Sequence, residues 1–193
     1  MYNKEAHEEA VKRALQITSM INPLLCGQNP AIFQEPRPPD VVWGEPFYYL
    51  ERRCHRIVYE ALQPLIPLKI DRIMDVTEGI GAGFAGMGEV CGTVSGAIMA
   101  AGLDLASRYD DQNLIRLLVS KYTIKLMRSV KKDLGSYYCR DIVGRDMSNW
   151  LEEGNKGGWS DFVHDEAAVM RCGKIQEYCI MFPLPFEEDD YLI

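Results

Sequence analysis

The chain has 193 residues, 47% of them apolar, with a net charge of -7 and a pI near 5.0. That length suits one domain able to bury its own core without disulfide staples, and that apolar fraction excludes a disordered chain. The acidic balance gives no general attraction to phosphate backbones or anionic bilayers, so nucleic acid is not an expected partner.

In chain order, Ala6, Ala10, Val11, Ala14, Leu15, Ile17 and Met20 recur at helical spacing. They predict an amphipathic helix from Asn3 to the Asn22-Pro23 break. Prolines 23, 30, 36, 38, 39 and 46 then impose an extended segment. A second helix is predicted from about Glu45 to Leu65, with Tyr49, Cys54, Ile57, Val58, Ala61 and Leu62 on one face, and a third from Lys69 to Glu78. The stretch GIGAGFAGMGEVCG reads as a backbone-driven turn, because glycine weakens a helix interior. A helix rich in small residues follows from about Cys91 to Tyr109; Ser95, Gly96, Ala97, Ala100, Ala101 and Gly102 allow close helix approach, within the chain or in a homodimer.

Asp110-Asp111 caps a long helix through Lys132, with Leu114, Leu117, Leu118, Tyr122, Leu126 and Val130 inward. Gly135 ends it. A short helix opens at Cys139, Trp150 marks another turn, and residues 154–158 form a loop. The last helix is predicted from a Ser160 cap to about Met181, followed by a Pro-broken acidic tail. No period-two strand signal stands out. The expectation is all-α: a single-domain bundle of about five to seven helices. Its parts are an N-terminal helix and Pro-rich extension (1–45), a cysteine-bearing core (46–181) and a tail (182–193). No apolar run spans a membrane and the first residues lack an apolar signal region, so the expected location is the cytoplasm.

In a reducing compartment, the cysteines at 26, 54, 91, 139, 172 and 179 are expected as buried thiols, metal ligands or redox centres rather than structural disulfides. Cys91 follows the glycine-rich loop and opens a helix, where unpaired backbone N–H groups lower a thiol pKa. Cys139 opens a helix too, and these two are the candidate reactive pair. Cys172 and Cys179 share a helix face two turns apart, about 10 Å along the axis and too far to pair with each other. Cys179 reads as core and Cys26 as a loop thiol. His55, next to Cys54, reads as a partly exposed helix histidine; His7 and His164 read as surface positions. Glu89 and Arg140 read as helix-end charges, with Arg140 near enough to support a thiolate. The GxGxxG-like spacing at Gly81, Gly83 and Gly86 lacks the preceding strand that a dinucleotide site needs. There is no CxxC, no CxxCH for covalent haem and no HExxH.

Four cysteine neighbourhoods, RRCHRIVYEAL, GFAGMGEVCGTVSGAIMAAGL, CRDIVGRD and MRCGKIQEYC, resemble in order those of the redox-active proteins named after a C…GCAxxG…C…C pattern. The match runs from about Leu50 to Cys179. Thr93 stands where that family often has Ala, and His55 replaces a small residue. A related helical domain occurs in split-Soret cytochromes, whose haem motif this chain lacks. The resemblance implies a redox role for Cys54, Cys91, Cys139 and Cys172. They would act as ligands of an iron–sulfur cluster, with zinc as a lesser variant, or as a reversible thiol/disulfide centre serving a redox partner protein. The alternative is a structural or partner-binding module whose cysteines are merely buried.

Overall fold

The computed structural model describes residues 54–146 and 165–184. The N-terminal helix, the Pro-rich segment, Cys26, His7, His164, Trp150, the 154–158 loop, Ser160 and the acidic end of the tail lie outside them.

The described residues are all-α. Helix α1 (Cys54–Leu62) buries Ile57, Val58, Tyr59, Ala61 and Leu62, then tightens into a 3-10 turn, Gln63–Leu65, where Pro64 removes the donor a continuing α-helix needs. The helix predicted over 69–78 is not continuous. Only α2 (Ile73–Val76) and a 3-10 turn (Glu78–Ile80) form. The reason is burial: Ile70 and Val76 are 48% and 80% exposed, so Ile73, packed against the core, has little apolar company on its segment, and so short a helix is marginal alone.

Helix α3 (Gly92–Arg108) is the central element, with Val94, Ala97, Ala100, Ala101 and Leu105 almost wholly buried. Its small residues are used inside the chain. A Cβ at Gly96 would overlap the backbone of His55, so α1 and α3 cross backbone to backbone.

Helix α4 (Gln112–Leu134) is capped by Asp111, whose carboxylate accepts from the backbone N–H groups of Asn113 (2.8 Å) and Leu114 (3.4 Å). It ends at Gly135, whose φ of 90° few other residues adopt. Its buried stripe is Leu118, Tyr122, Leu126 and Val130. Leu117, expected inward, is 52% exposed because it lies about 100° around the helix from that stripe.

Helix α5 (Cys139–Val143) and helix α6 (Glu166–Met181) complete the bundle. The cap of α6 is Asp165, accepting from the Ala168 N–H at 3.0 Å, and not Ser160. Arg171 of α6 donates to the Ile142 and Val143 carbonyls at the end of α5. The beginning of the tail docks: Leu184 is buried, and Phe182 lies edge-on to Tyr122. One isolated antiparallel bridge, Val90 with Tyr138, is the extended pairing among the described residues. None of the described helices is long and apolar enough to cross a membrane.

Candidate functional site: thiols around a glycine turn

The site is built around the glycine-rich segment. Gly81–Phe84 forms one helical turn, closed by the Ala85 N–H on the Gly81 carbonyl at 2.9 Å, but its hand is wrong. From Ala82 through Gly86 every residue has a positive φ: 54°, 67°, 63°, 54° and 89°. A left-handed conformation costs an L-residue roughly 1–2 kcal/mol, and Ala82, Phe84 and Ala85 all bear it. Gly83 is obligatory here for a second reason: a Cβ on it would lie 2.7 Å from the Cys139 Cβ and 2.7 Å from the Glu89 backbone nitrogen.

The turn is held by the start of α5. The Cys139 N–H donates to the Glu89 carbonyl at 2.7 Å, and the Cys91 N–H donates to the Tyr137 carbonyl at 2.9 Å. Arg140 donates to the Gly88 carbonyl from its backbone N–H (3.0 Å) and from Nε (3.2 Å). Its guanidinium also pairs with the Glu89 carboxylate. Arg140 therefore ties loop to helix rather than supporting a thiolate. Because Val90 and Tyr138 are bridge partners, their neighbours Cys91 and Cys139 project together to the opposite face of that short ladder.

Cys54 enters from α1. Its Sγ occupies the space that a Cβ on Gly92, next to Cys91, would need. Cys172 enters from α6. Burial pushes the Cys54 thiol up to about 12, with the Cys91 charge adding to it. Burial raises Cys139 as well, and so do the charges of Cys91, Cys54 and Cys172. Cys172 is raised by burial, then by Cys91 and Cys54, with Arg171 opposing. Every pair among the four is thus within electrostatic reach. Cys179 answers to burial and to Cys91 alone, and it sits in the core as expected.

The expected lowering at Cys91 does not occur. Burial raises its pKa and outweighs the Thr93 hydroxyl and the Thr93 and Val94 N–H groups that favour the thiolate. These cysteines are free thiols. Among the described residues, no group of three or more His, Cys, Asp or Glu side chains is gathered so as to hold a metal ion.

Two nearby residues escaped sequence reasoning. His55 is fully buried rather than partly exposed, because its backbone sits against Gly96 at the α1–α3 crossing. Gln176 is 3% exposed, and its Oε1 has no hydrogen-bond partner among the described residues. It lies between Cys172 and Cys179 on one stripe of α6. The only signal was that spacing of four and three residues, which an amphipathic helix also produces.

Fold and site together define an all-helical arrangement in which Cys91 and Cys139 are buried, and Cys54 partly so, beside a left-handed glycine turn. Residues 52–182 match the model of the family described as "Putative redox-active protein (C_GCAxxG_C_C)", and the chain belongs to that family. No curated protein and no solved structure matches it.

Proposed function

We propose that the protein is a thiol-based redox protein in which Cys54, Cys91, Cys139 and Cys172 form a reversible dithiol/disulfide centre, with Cys91 and Cys139 as the reactive pair. The observation that carries this reading is that each of the four lies within electrostatic reach of the other three, although they come from distant parts of the chain. The common face of Cys91 and Cys139 beside the Val90–Tyr138 bridge supports the choice of pair.

Two thiols give up two protons and two electrons and become one disulfide. The electrons pass to the disulfide of a small molecule or partner protein, which leaves as two thiols. Burial keeps the resting thiols protonated, so exchange requires a proton acceptor or an opening that admits water. The four-thiol set also favours a second reading. A multi-iron sulfur cluster spreads its thiolate ligands over several metal atoms, and its positive irons would offset the mutual repulsion of four thiolates. In that case these cysteines would be its ligands and the chemistry supplied would be electron transfer.

One preparation separates the readings. The protein is purified without oxygen, its visible spectrum is taken, iron, zinc and sulfide are measured per chain, and free thiols are counted before and after equilibration with a disulfide. A colourless, iron-free protein that loses two thiols reversibly, and loses that response in Cys91→Ser or Cys139→Ser, supports the dithiol centre. Stoichiometric iron and sulfide support the cluster. A thiol count that never changes, without metal, leaves a helical module with buried cysteines and sinks both.

A further inference from the structure

Helix α4 is charged opposite to the chain as a whole. It holds Arg116, Lys121, Lys125, Arg128, Lys131 and Lys132, six of the chain's 21 basic residues, and one, Asp133, of its 28 acidic ones. The helix dipole favours Lys131 and Lys132 in the last turn but gives no reason for the cations further back. A helix face that serves solubility alone sets opposite charges three or four residues apart, where they attract. Here Lys121 with Lys125, and Arg128 with Lys131 and Lys132, are like charges at those spacings, and they repel. Arg116, Arg128, Lys131 and Lys132 have no ion-pair partner among the described residues.

Apolar side chains run through the same face. Leu117 and Ile124 are 52% and 48% exposed, and Arg128 and Lys131 are exposed as well. At about 100° per residue, these four fall within roughly 60° of arc, on the outer side of the helix away from its buried stripe. An anion held by charge alone needs no leucine or isoleucine among the cations. A surface that mates with another protein uses both: apolar contact gives affinity, and the surrounding charge gives selection and steering. Nucleic acids and anionic bilayers are extended, so each would also meet the rest of this molecule, whose excess of acidic residues repels them. A short acidic protein segment meets the helix alone.

The face leads to the thiols. Helix α4 ends at Gly135, the Tyr137 carbonyl two residues on accepts from the Cys91 N–H, and Cys139 opens α5. We propose that the outer face of α4 is the docking surface for the protein's redox partner, and that the partner presents to it an acidic segment bearing large apolar side chains. The segment sets its apolar groups on Leu117 and Ile124 and its carboxylates against Arg128 and Lys131. Its far end then lies toward the 135–138 stretch that carries the reactive pair. The redox role of this partner rests on the dithiol reading, whereas the surface itself rests on charge and exposure.

The test uses the full chain and two peptide probes: an amphipathic helix of glutamate and leucine, and the same peptide with glutamine for every glutamate. Saturable binding of the glutamate peptide at low salt is expected, at least tenfold tighter than that of the glutamine peptide. The double variant Arg128→Glu, Lys131→Glu should weaken it at least tenfold, and Leu117→Asn, Ile124→Asn, which alters no charge, at least threefold. Thermal melting checks that each variant folds; if the reversal does not, Arg128→Gln, Lys131→Gln replaces it, with at least threefold weakening expected. Absent binding, equal affinity for both peptides, or undiminished affinity in either the charge or the apolar variant overturns the proposal. Tighter binding of DNA or of anionic phospholipid vesicles than of the glutamate peptide overturns it too. A second arm gives the glutamate peptide a disulfide and follows loss of protein thiols. The charge variant is expected to slow this reaction about tenfold and to leave reaction with oxidised dithiothreitol, which carries no charge, unchanged; equal slowing of both overturns the proposal. If the peptide binds as expected and neither disulfide reacts, α4 stands as a docking face for acidic proteins, while the partner's redox role falls together with the dithiol reading.

Discussion

Helix α4 and the glycine-rich segment before α3 follow opposite rules. In α4 every local preference agrees with the final structure: an aspartate cap, a stripe of buried residues four apart, a terminal glycine. In the segment from Gly81 to Gly92 local preference is overridden. Three non-glycine residues adopt a left-handed backbone, glycines replace side chains where sulfurs need room, and contacts from residues about fifty positions away hold the result. A regular helix is stabilised piece by piece. The thiol site exists only if distant pieces arrive together.

Alkali gives the largest expected break between the two regions. An unfolded thiol ionises near pH 9, whereas the folded Cys54 thiol holds its proton up to about 12. Between these values the unfolded chain binds fewer protons, so stability that is complete below pH 9 is lost as pH rises toward 12. The shift at Cys54 alone corresponds to something of the order of 4 kcal/mol. The urea midpoint is expected to fall as pH rises across this range, and a Cys54→Ala variant is expected to show a weaker fall; a pH-independent midpoint would contradict the raised Cys54 ionisation.

Next in size is Gly96→Ala. Its Cβ meets the backbone of His55, which cannot rotate aside, so α1 and α3 must separate. A loss of about 3 kcal/mol is expected in denaturant unfolding, at the upper end of overpacking effects. Gly92→Ala should cost less, about 1–2 kcal/mol, because the atom it meets is the movable Cys54 sulfur. Its signature is chemical: Cys54 should become alkylated faster than in the parent, by peptide mass analysis.

Asp111→Ala sharpens the comparison from the other side. Removing the α4 cap should cost about 1 kcal/mol and lower the melting temperature by a few degrees, with no change in thiol reactivity. The smallest effect is expected for Glu89→Gln. Its pair with Arg140 is half exposed on both sides, so less than about 1 kcal/mol is at stake, further reduced by salt.

The same contrast explains what the sequence made legible. The all-α class, the α4 boundaries and the start of α3 followed from periodicity and capping, which are local. The choice of Cys54, Cys91, Cys139 and Cys172 came from their neighbourhoods in chain order, which resemble those of the family that residues 52–182 match. Three features were out of reach. The ionisation of Cys91 depends on how deeply other helices bury it, and a helix-start rule is silent about that. The burial of His55 depends on a glycine forty-one positions later. The segment over 69–78 contains adequate helix formers but leaves Ile70 and Val76 largely exposed, and packing decides whether so short a helix persists.

The reversed hand of the turn at Ala82–Gly86 also bears on chirality itself. At these dihedrals the mirror-image amino acid is the relaxed one, so a chain assembled chemically with D-alanine at position 85 should be more stable than the ribosomal product, where nearly everywhere else in the bundle the same exchange would be ruinous. A single inverted stereocentre would thereby report, atom for atom, that the polypeptide really winds backwards beside its sulfurs.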